Sequence, residues 1–352
     1  MADFKFLNVN IKGIYTSVSE NFKSIFDIGT EAGLSNDEII KFQAATGVNK
    51  LHSSENLTTS DYCIKAAQEL LIDLNWSNSS VDCVIFLTQT PDYILPKTST
   101  IVQQKLNLRD DIFVLDINDG CSGFIYGLIT AFQFSSPSIK RILLMMGETP
   151  SKIVNPKDKS SNLLFGDGGS CIAIEHDSNE NYQYISNGID GSGFDSIIIN
   201  DGGFRNITNM NSLEEQFISD GIVRNKLNLQ MNGEDVFLFG ISRVPKEIKK
   251  FLELHTFTNE DFDYFVMHQA NLQMNNMISK KLKVDDKKLL HSINVYGNTS
   301  SLSIPLTLTE NSHLLLGKNL KILCSGFGVG LSWGSALLSI NDRTIFKNIF
   351  YV

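Results

Sequence analysis

Three polar residues stand where this sequence could carry out covalent chemistry. Cys121 lies in Asn118-Asp119-Gly120-Cys121-Ser122, His268 in Met267-His268-Gln269-Ala270-Asn271, and Asn298 in Tyr296-Gly297-Asn298-Thr299-Ser300. A thiol placed just before a helix meets unpaired amides and the positive end of the helix dipole, which favour thiolate and lower its pKa from about 8.5 toward the nucleophilic range. An imidazole can act as a base, and an imidazole and a carboxamide can both stabilise a developing oxyanion. A single cysteine with histidine and asparagine elsewhere in the chain is therefore a candidate nucleophile constellation. Each residue also has a plainer reading: a packed cysteine in a tight turn, a hydrogen-bonded histidine at the end of a buried strand, and a helix N-cap.

The elements that would position them show an internal duplication. Residues 116–122 match residues 292–299 when Gly120 is laid on Gly297, an offset of 177, and each reads as strand, sharp glycine turn, helix. Residues 82–89 fall on 263–269 and residues 141–147 on 321–326, both at an offset near 180, and residues 169–174 fall on 334–338 at 165. A shared order and spacing across four units points to two similar halves, residues 1–178 and 179–352, with Cys121 in the first and His268 and Asn298 in the second. Equivalent strand ends would then converge across a pseudo-twofold axis. Apolar residues at helical spacing predict helices over 57–74, 123–134 and 236–254 between the strands. Strands alternating with helices imply an α/β fold with mainly parallel sheets covered by helices. The polar stretch 177–182 reads as the junction, and residues 187–211, rich in Gly, Asn and Asp, read as a long irregular insertion that shapes a substrate entrance.

Composition narrows the function. The chain has 352 residues, 42% hydrophobic and 20% charged, with a net charge of -9. That is a folded globular composition without the basic face a nucleic acid needs. Six arginines occur, none before Arg109, so a phosphate held by the first third must be met by lysine or backbone amides. No run approaches the roughly 18 apolar residues of a membrane helix. The alternation of Phe4, Phe6 and Ile11 with polar residues reads as a strand rather than a signal peptide, so the cytoplasm is the expected compartment. Five widely spaced cysteines without a CxxC pair suggest neither a disulfide framework nor a metal site. Phosphate-loop, HExxH, GxSxG and GxGxxG patterns are absent.

The strings DGCSGFIYGL, FGDGG, VMHQAN, YGNTSS and GFGVGLSWGSALL, in this order over residues 5–340, resemble beta-ketoacyl-[acyl-carrier-protein] synthase III, a condensing enzyme of the thiolase superfamily. The resemblance implies the thiolase-like fold: two duplicated halves with mixed, mainly parallel sheets in α-β-α-β-α layers. It implies that Cys121 accepts an acyl primer from a thioester, and that His268 and Asn298 stabilise the enolate formed when a malonyl thioester loses carbon dioxide. The backbone amides of Cys121 and Val329 would form an oxyanion hole. Leu95, Phe165, Gly233 and Asn271 fall at substrate-binding positions, with Leu95 reaching across a homodimer interface and Asn271 near the pantetheine arm. No cofactor or metal is implied, because substrates arrive as coenzyme A or phosphopantetheine thioesters, and acyl carrier protein is the implied partner.

This chain departs from the family at informative places. Val329 is the middle residue of a turn that usually carries three glycines, and a β-branched residue restricts the angles that aim its N–H. Lys41 and Ala45 stand where a tryptophan and an arginine commonly clamp the adenine of coenzyme A. Lys159 stands at a second common arginine, and Gln273 at an arginine associated with carrier docking. Lys280 and Lys281, with Lys283, offer a local basic patch for an acidic carrier, although such a run is also what a solvated helix face looks like. Three other activities compete with decarboxylative condensation: acyl transfer from Cys121 to an alcohol or amine, a non-catalytic partner subunit, and an unrelated cysteine hydrolase.

Overall fold

Residues 83–87, Cys-Val-Ile-Phe-Leu, carry no charged or hydroxylated side chain, and the reason is burial on both faces. Successive side chains of a strand point to opposite sides; Ile85 and Leu87 enter one apolar layer and Val84 and Phe86 another. Residues 141–148 repeat the device, with Ile142, Leu144 and Met146 in the first layer and Leu143 and Met145 in the second. Each side chain so buried contributes about 1.5–3 kcal/mol. The computed structural model describes residues 1–178 and 182–351.

Twelve strands build two six-stranded sheets among the described residues. In chain order they are β1 (Ala2–Phe6), β2 (Val9–Ser19), β3 (Cys83–Leu87), β4 (Phe113–Ile117), β5 (Arg141–Glu148), β6 (Gly168–His176), β7 (Gln183–Ile189), β8 (Tyr264–Met267), β9 (Leu289–Leu290), β10 (Leu320–Gly328), β11 (Ser332–Ile340) and β12 (Ile345–Tyr351). One sheet runs β12-β2-β6-β5-β3-β4 and the other β1-β7-β11-β10-β8-β9. Position by position the orders correspond, so the pairs expected from the repeat, β3 with β8, β5 with β10 and β6 with β11, hold equivalent places. Three of five pairings in the first sheet are parallel and two of five in the second. The sheets are therefore evenly mixed rather than mainly parallel, because each half contains hairpin-like returns beside its crossover units.

Five helices complete the layers: α1 (Thr59–Asp73), α2 (Gly123–Phe134), α3 (Gly233–Leu254), α4 (Leu272–Leu282) and α5 (Ser303–Glu310). Ile125 and Leu128 of α2 and Ile304 and Leu308 of α5 pack between the sheets, in one core with Ile85, Ile172, Ile322 and Leu338. Leu70 and Leu71 of α1 cover the outer face of the first sheet, and Ile248, Met274 and Ile278 of α3 and α4 cover that of the second. This is the α-β-α-β-α layering. Capping agrees with it: Thr58 and Asp61 form a capping box at α1, and Asn232 caps α3 three residues earlier than its apolar spacing suggested.

Three local features differ from the sequence reading. The terminal strands exchange partners, β1 pairing with β7 in the second sheet and β12 with β2 in the first, so the sheets do not divide at 178/179. Residues 179–181 of the expected junction lie outside the described residues. Residues 187–189 belong to β7 rather than to the insertion, and the segment beyond them holds only short pieces such as Ile197–Ile198. Finally, Ile293–Tyr296 is one turn of helix, not strand. Ile293 packs with Leu51 and Leu164, and the Tyr296 hydroxyl donates to Glu310 over 2.7 Å, which requires the chain to coil away from the sheet after Leu290.

Candidate active site

Cys121 sits in the link between β4 and α2. Asp119 Oδ1 accepts the Gly120 N–H at 2.7 Å, closing the turn. A Cβ at Gly120 would stand 2.2 Å from Gln89 Oε1, so any larger residue there would have to displace the Gln89 carboxamide. From the other half, Gly328 presses on the same point: its Cβ would meet Cys121 Cβ at 2.4 Å and Sγ at 2.8 Å. The next amide, that of Val329, donates to the Cys121 sulfur. The turn takes its positive φ values at Gly328 and Gly330 and not at Val329, so the β-branched side chain is accommodated without misdirecting the N–H. The Cys121 N–H has no hydrogen-bond partner among the described residues.

His268 follows β8 and continues its ladder, donating its N–H to Ser325 O at 2.8 Å. Its carbonyl accepts from Asn275 Nδ2 at 3.1 Å, and its ring meets Phe327 edge to face, centroids 5.6 Å apart. Burial pushes the imidazole down to about 3, against a smaller opposing effect of a hydrogen bond to the Ser300 main chain. The ring is neutral at physiological pH, and its Nδ1 is buried without a partner among the described residues. Asn298 is held by main chain on both sides, donating its N–H to Leu164 O at 2.8 Å and accepting from Gly166 N at 3.1 Å. Its side-chain oxygen accepts the Ser300 N–H at 3.0 Å. That assignment of the carboxamide leaves Nδ2 as the group able to donate.

Ser300 therefore touches all three residues. Its hydroxyl lies 3.8 Å from Cys121 Sγ, its main chain meets the His268 ring, and its N–H fixes Asn298. It does so with φ at +52°, a left-handed conformation that costs a non-glycine residue free energy and often marks a functional site. The sequence reading missed Ser300 as a site residue, because its role follows from backbone conformation rather than residue type.

One cavity of about 150 Å³ collects Cys121, His268, Asn298 and Val329, together with Phe165, Gly233 and Asn271. Ile153, Leu164, Ile197, Met231, Met274 and Phe327 make its wall largely apolar, and no lysine or arginine lines it. Ile197 comes from the long insertion. Asn271 spends its side-chain oxygen on capping α4, accepting from Met274 N at 2.7 Å. Leu95 lies outside this cavity on an exposed loop beside Tyr93 and Ile94. Lys280 borders a second surface depression with Lys41, Ala45 and Gln273, whereas the Lys281 ammonium folds back to Ile241 O at 2.7 Å. Lys159 pairs with Glu38 at 3.4 Å.

The electrostatics correct one expectation. Burial pushes the Cys121 thiol up to about 11, and the Ser300 hydroxyl and Val329 N–H only partly offset it. Desolvation is thus the dominant effect, with Glu148 and Asp119 adding smaller upward effects. Glu148, at the end of β5, was also not singled out by sequence. It lines the cavity, accepts from Gln89 N at 3.0 and 3.1 Å, Thr90 Oγ1 at 2.9 Å and Thr88 Oγ1 at 3.2 Å, and is pushed by burial up to about 8. A lone acid ending an apolar strand was its only signal. Cys63, Cys83, Cys171 and Cys324 are buried and free, their thiols all raised by burial. Among the described residues no group of His, Cys, Asp or Glu is placed to hold a metal, and no helix is long and apolar enough to cross a membrane.

Comparison with known proteins shows which family the chain resembles. Residues 115–193 match the family model for 3-oxoacyl-[acyl-carrier-protein (ACP)] synthase III, and residues 252–340 match that for its C-terminal region. The chain is 34% identical over 348 residues to a putative 3-oxoacyl-[acyl-carrier-protein] synthase 3 of Campylobacter jejuni, covering 96% of each. It is 34% identical over 312 residues to the beta-ketoacyl-[acyl-carrier-protein] synthase III of Clostridium tetani, covering 86% of this chain and 90% of that one. The crystal structure of a 3-oxoacyl-(acyl-carrier protein) synthase from Burkholderia xenovorans superposes with a TM-score of 0.92 at 31% identity, covering 99% of both chains.

Proposed function

The chain belongs to the 3-oxoacyl-[acyl-carrier-protein] synthase III family of condensing acyltransferases, and on that premise we propose that it joins an acyl primer held on Cys121 to a malonyl thioester, with loss of carbon dioxide. The observation that supports this reading is the junction at Ser300, where a thiol, a neutral imidazole and a carboxamide meet around one cavity. Cys121 attacks the primer thioester, the negative charge on the carbonyl oxygen is met by the Cys121 and Val329 amides, and the pantetheine thiol leaves. His268 and Asn298 then donate to the malonyl thioester carbonyl. Decarboxylation places its electron pair in an enolate stabilised by those two donors, and the α-carbon attacks the Cys121 thioester, releasing the sulfur. A neutral imidazole has one N–H, which the Ser300 carbonyl engages in the free protein; for the enolate step that N–H is shared with the malonyl thioester carbonyl.

The malonyl group is delivered by an acyl carrier protein, the acyl primer arrives as a thioester, and no bound cofactor takes part. The protein acts in the cytoplasm as a homodimer, whose second copy covers the exposed apolar loop Tyr93, Ile94 and Leu95. One observation favours a second reading. Glu148, in the cavity wall with its carboxyl pushed up to about 8, is suited to take a proton from an alcohol or amine acceptor, as acyl transfer without decarboxylation would need. Intact-protein mass spectrometry after incubation with a panel of acyl thioesters, followed by carbon dioxide release from a malonyl thioester, separates the two. An adduct on Cys121 with stoichiometric carbon dioxide supports condensation; an adduct that only alcohols or amines discharge supports the alternative.

A further inference from the structure

Two turns from opposite halves of the chain meet at the nucleophile, and they are built alike. Ser122 Oγ stands 3.1 Å from Asp119 Oδ1, and Ser332 Oγ stands 2.6 Å from Val329 O, each serine within donating reach of the residue three places before it. The two hydroxyls stand 2.5 Å apart although 210 residues separate them in sequence, and both serines are buried. The two hydroxyls carry two protons, so one serine donates to the other while the second proton goes to Asp119 or to Val329 O; the four residues form a chain of polar contacts across the two turns, Asp119 to Ser122 to Ser332 to Val329. One arm ends beside the Cys121 amide, the other on the residue whose N–H reaches the Cys121 sulfur. Buried hydroxyls must find partners, and here they spend them on each other rather than on their own strand or helix; Ser122 makes no side-chain cap to α2.

We propose that Asp119, Ser122 and Ser332 are positioning residues that set the separation and aim of the Cys121 and Val329 amides, and so the fit of the oxyanion site to the acyl-transfer transition state. The proposal rests on the reading of Cys121 as the acylated nucleophile. Its physical content is that the glycine-flanked turn at 328–330 is soft, and that the hydroxyl clasp supplies the rigidity a preorganised donor needs. Asp119 anchors the far end, its Oδ1 accepting the Gly120 N–H at 2.7 Å and standing 3.1 Å from the Ser122 hydroxyl.

Two reactions of the same sulfur test it. Attack on an acyl thioester passes through an oxyanion, whereas alkylation by iodoacetamide is a displacement at carbon and does not. Ser332→Ala is expected to slow Cys121 acylation by about 10- to 100-fold, chiefly in the maximal rate rather than in KM, while iodoacetamide labelling stays within about twofold. Ser332→Thr, which keeps the hydroxyl, is expected to restore acylation to within about threefold. Equal rates of acylation in wild type and Ser332→Ala, or equal losses in both reactions, overturn the proposal while leaving Cys121 as the nucleophile. An unacylated wild-type protein instead overturns the reading on which the proposal rests. Should Ser332→Ala fail to fold, Ser122→Ala cuts the same link from the other side and carries the same expectations.

Discussion

The Ser300 N–H donates to Asn298 Oδ1 over 3.0 Å, from a residue whose φ is +52°. This bond decides which end of the carboxamide faces the cavity, and the strained backbone brings the same residue's hydroxyl to 3.8 Å from the Cys121 sulfur. His268→Ala and Asn298→Ala should therefore leave acylation of Cys121 largely intact while slowing malonyl decarboxylation by about 10²-fold or more, the scale of losing one preorganised donor. Carbon dioxide release measured beside intact mass gives the two numbers separately. Normal decarboxylation in both variants would move the assignment toward the acyl-transfer alternative.

Cys121→Ala should abolish acyl capture, and none of Cys63, Cys83, Cys171 or Cys324 should replace it, because all four are buried thiols outside the cavity. With Cys121 pushed up to about 11, its alkylation in the free protein should rise about tenfold per pH unit from pH 7 toward 10. A rate already flat at neutral pH would show that the helix start dominates after all.

Glu148 and His268 make opposite contributions to stability against pH. Glu148 is raised in the folded protein from 4.5 to about 8, so its contribution is fully present below pH 4.5 and is lost as pH rises through 8. His268 is lowered from 6.5 to about 3, so its contribution is present above pH 6.5 and is lost as pH falls toward 3. The two oppose each other below pH 6.5, so the wild type is expected to lose Tm between pH 6.5 and 8, and Glu148→Gln, which keeps the uncharged shape, should flatten that decline. A parallel pair of Tm curves over that range would mean that Glu148 is ionised in the folded protein.

Acyl transfer from coenzyme A should be inefficient relative to a carrier-protein thioester. Lysine cannot reproduce an arginine's planar fork; the resemblance sets Lys41 and Ala45 where a nucleotide clamp is expected, and Lys159 is engaged by Glu38. Lys280 borders the depression beside Lys41, but the Lys281 ammonium is tied to Ile241 O. Lys280→Glu should thus lower kcat/KM with a carrier-bound substrate by several-fold, and Lys281→Glu should change it little. A preference for coenzyme A that neither reversal alters would show that the missing clamp is replaced by other contacts.

The sequence by itself determined the duplicated strand order and the helices at 123–134 and near 59–73, and it singled out Cys121, His268 and Asn298, which the fold brings to one cavity. Each is written in a local signal: continuous apolar runs for strands buried on both faces, spaced apolar residues after a cap for helices, and short strings around glycine turns that resemble one family. The tertiary structure decided what depends on residues far apart in the chain. The exchange of β1 and β12 between sheets, the coil at Ile293–Tyr296 and the clasp of Ser122 with Ser332 are set by partners that no local pattern names. Titration is the clearest case, since a thiol before a helix reads as lowered from its neighbours in sequence, yet burial, with Glu148 and Asp119 near, raises it. Desolvation depends on everything that surrounds a group, and only the folded chain specifies that surrounding.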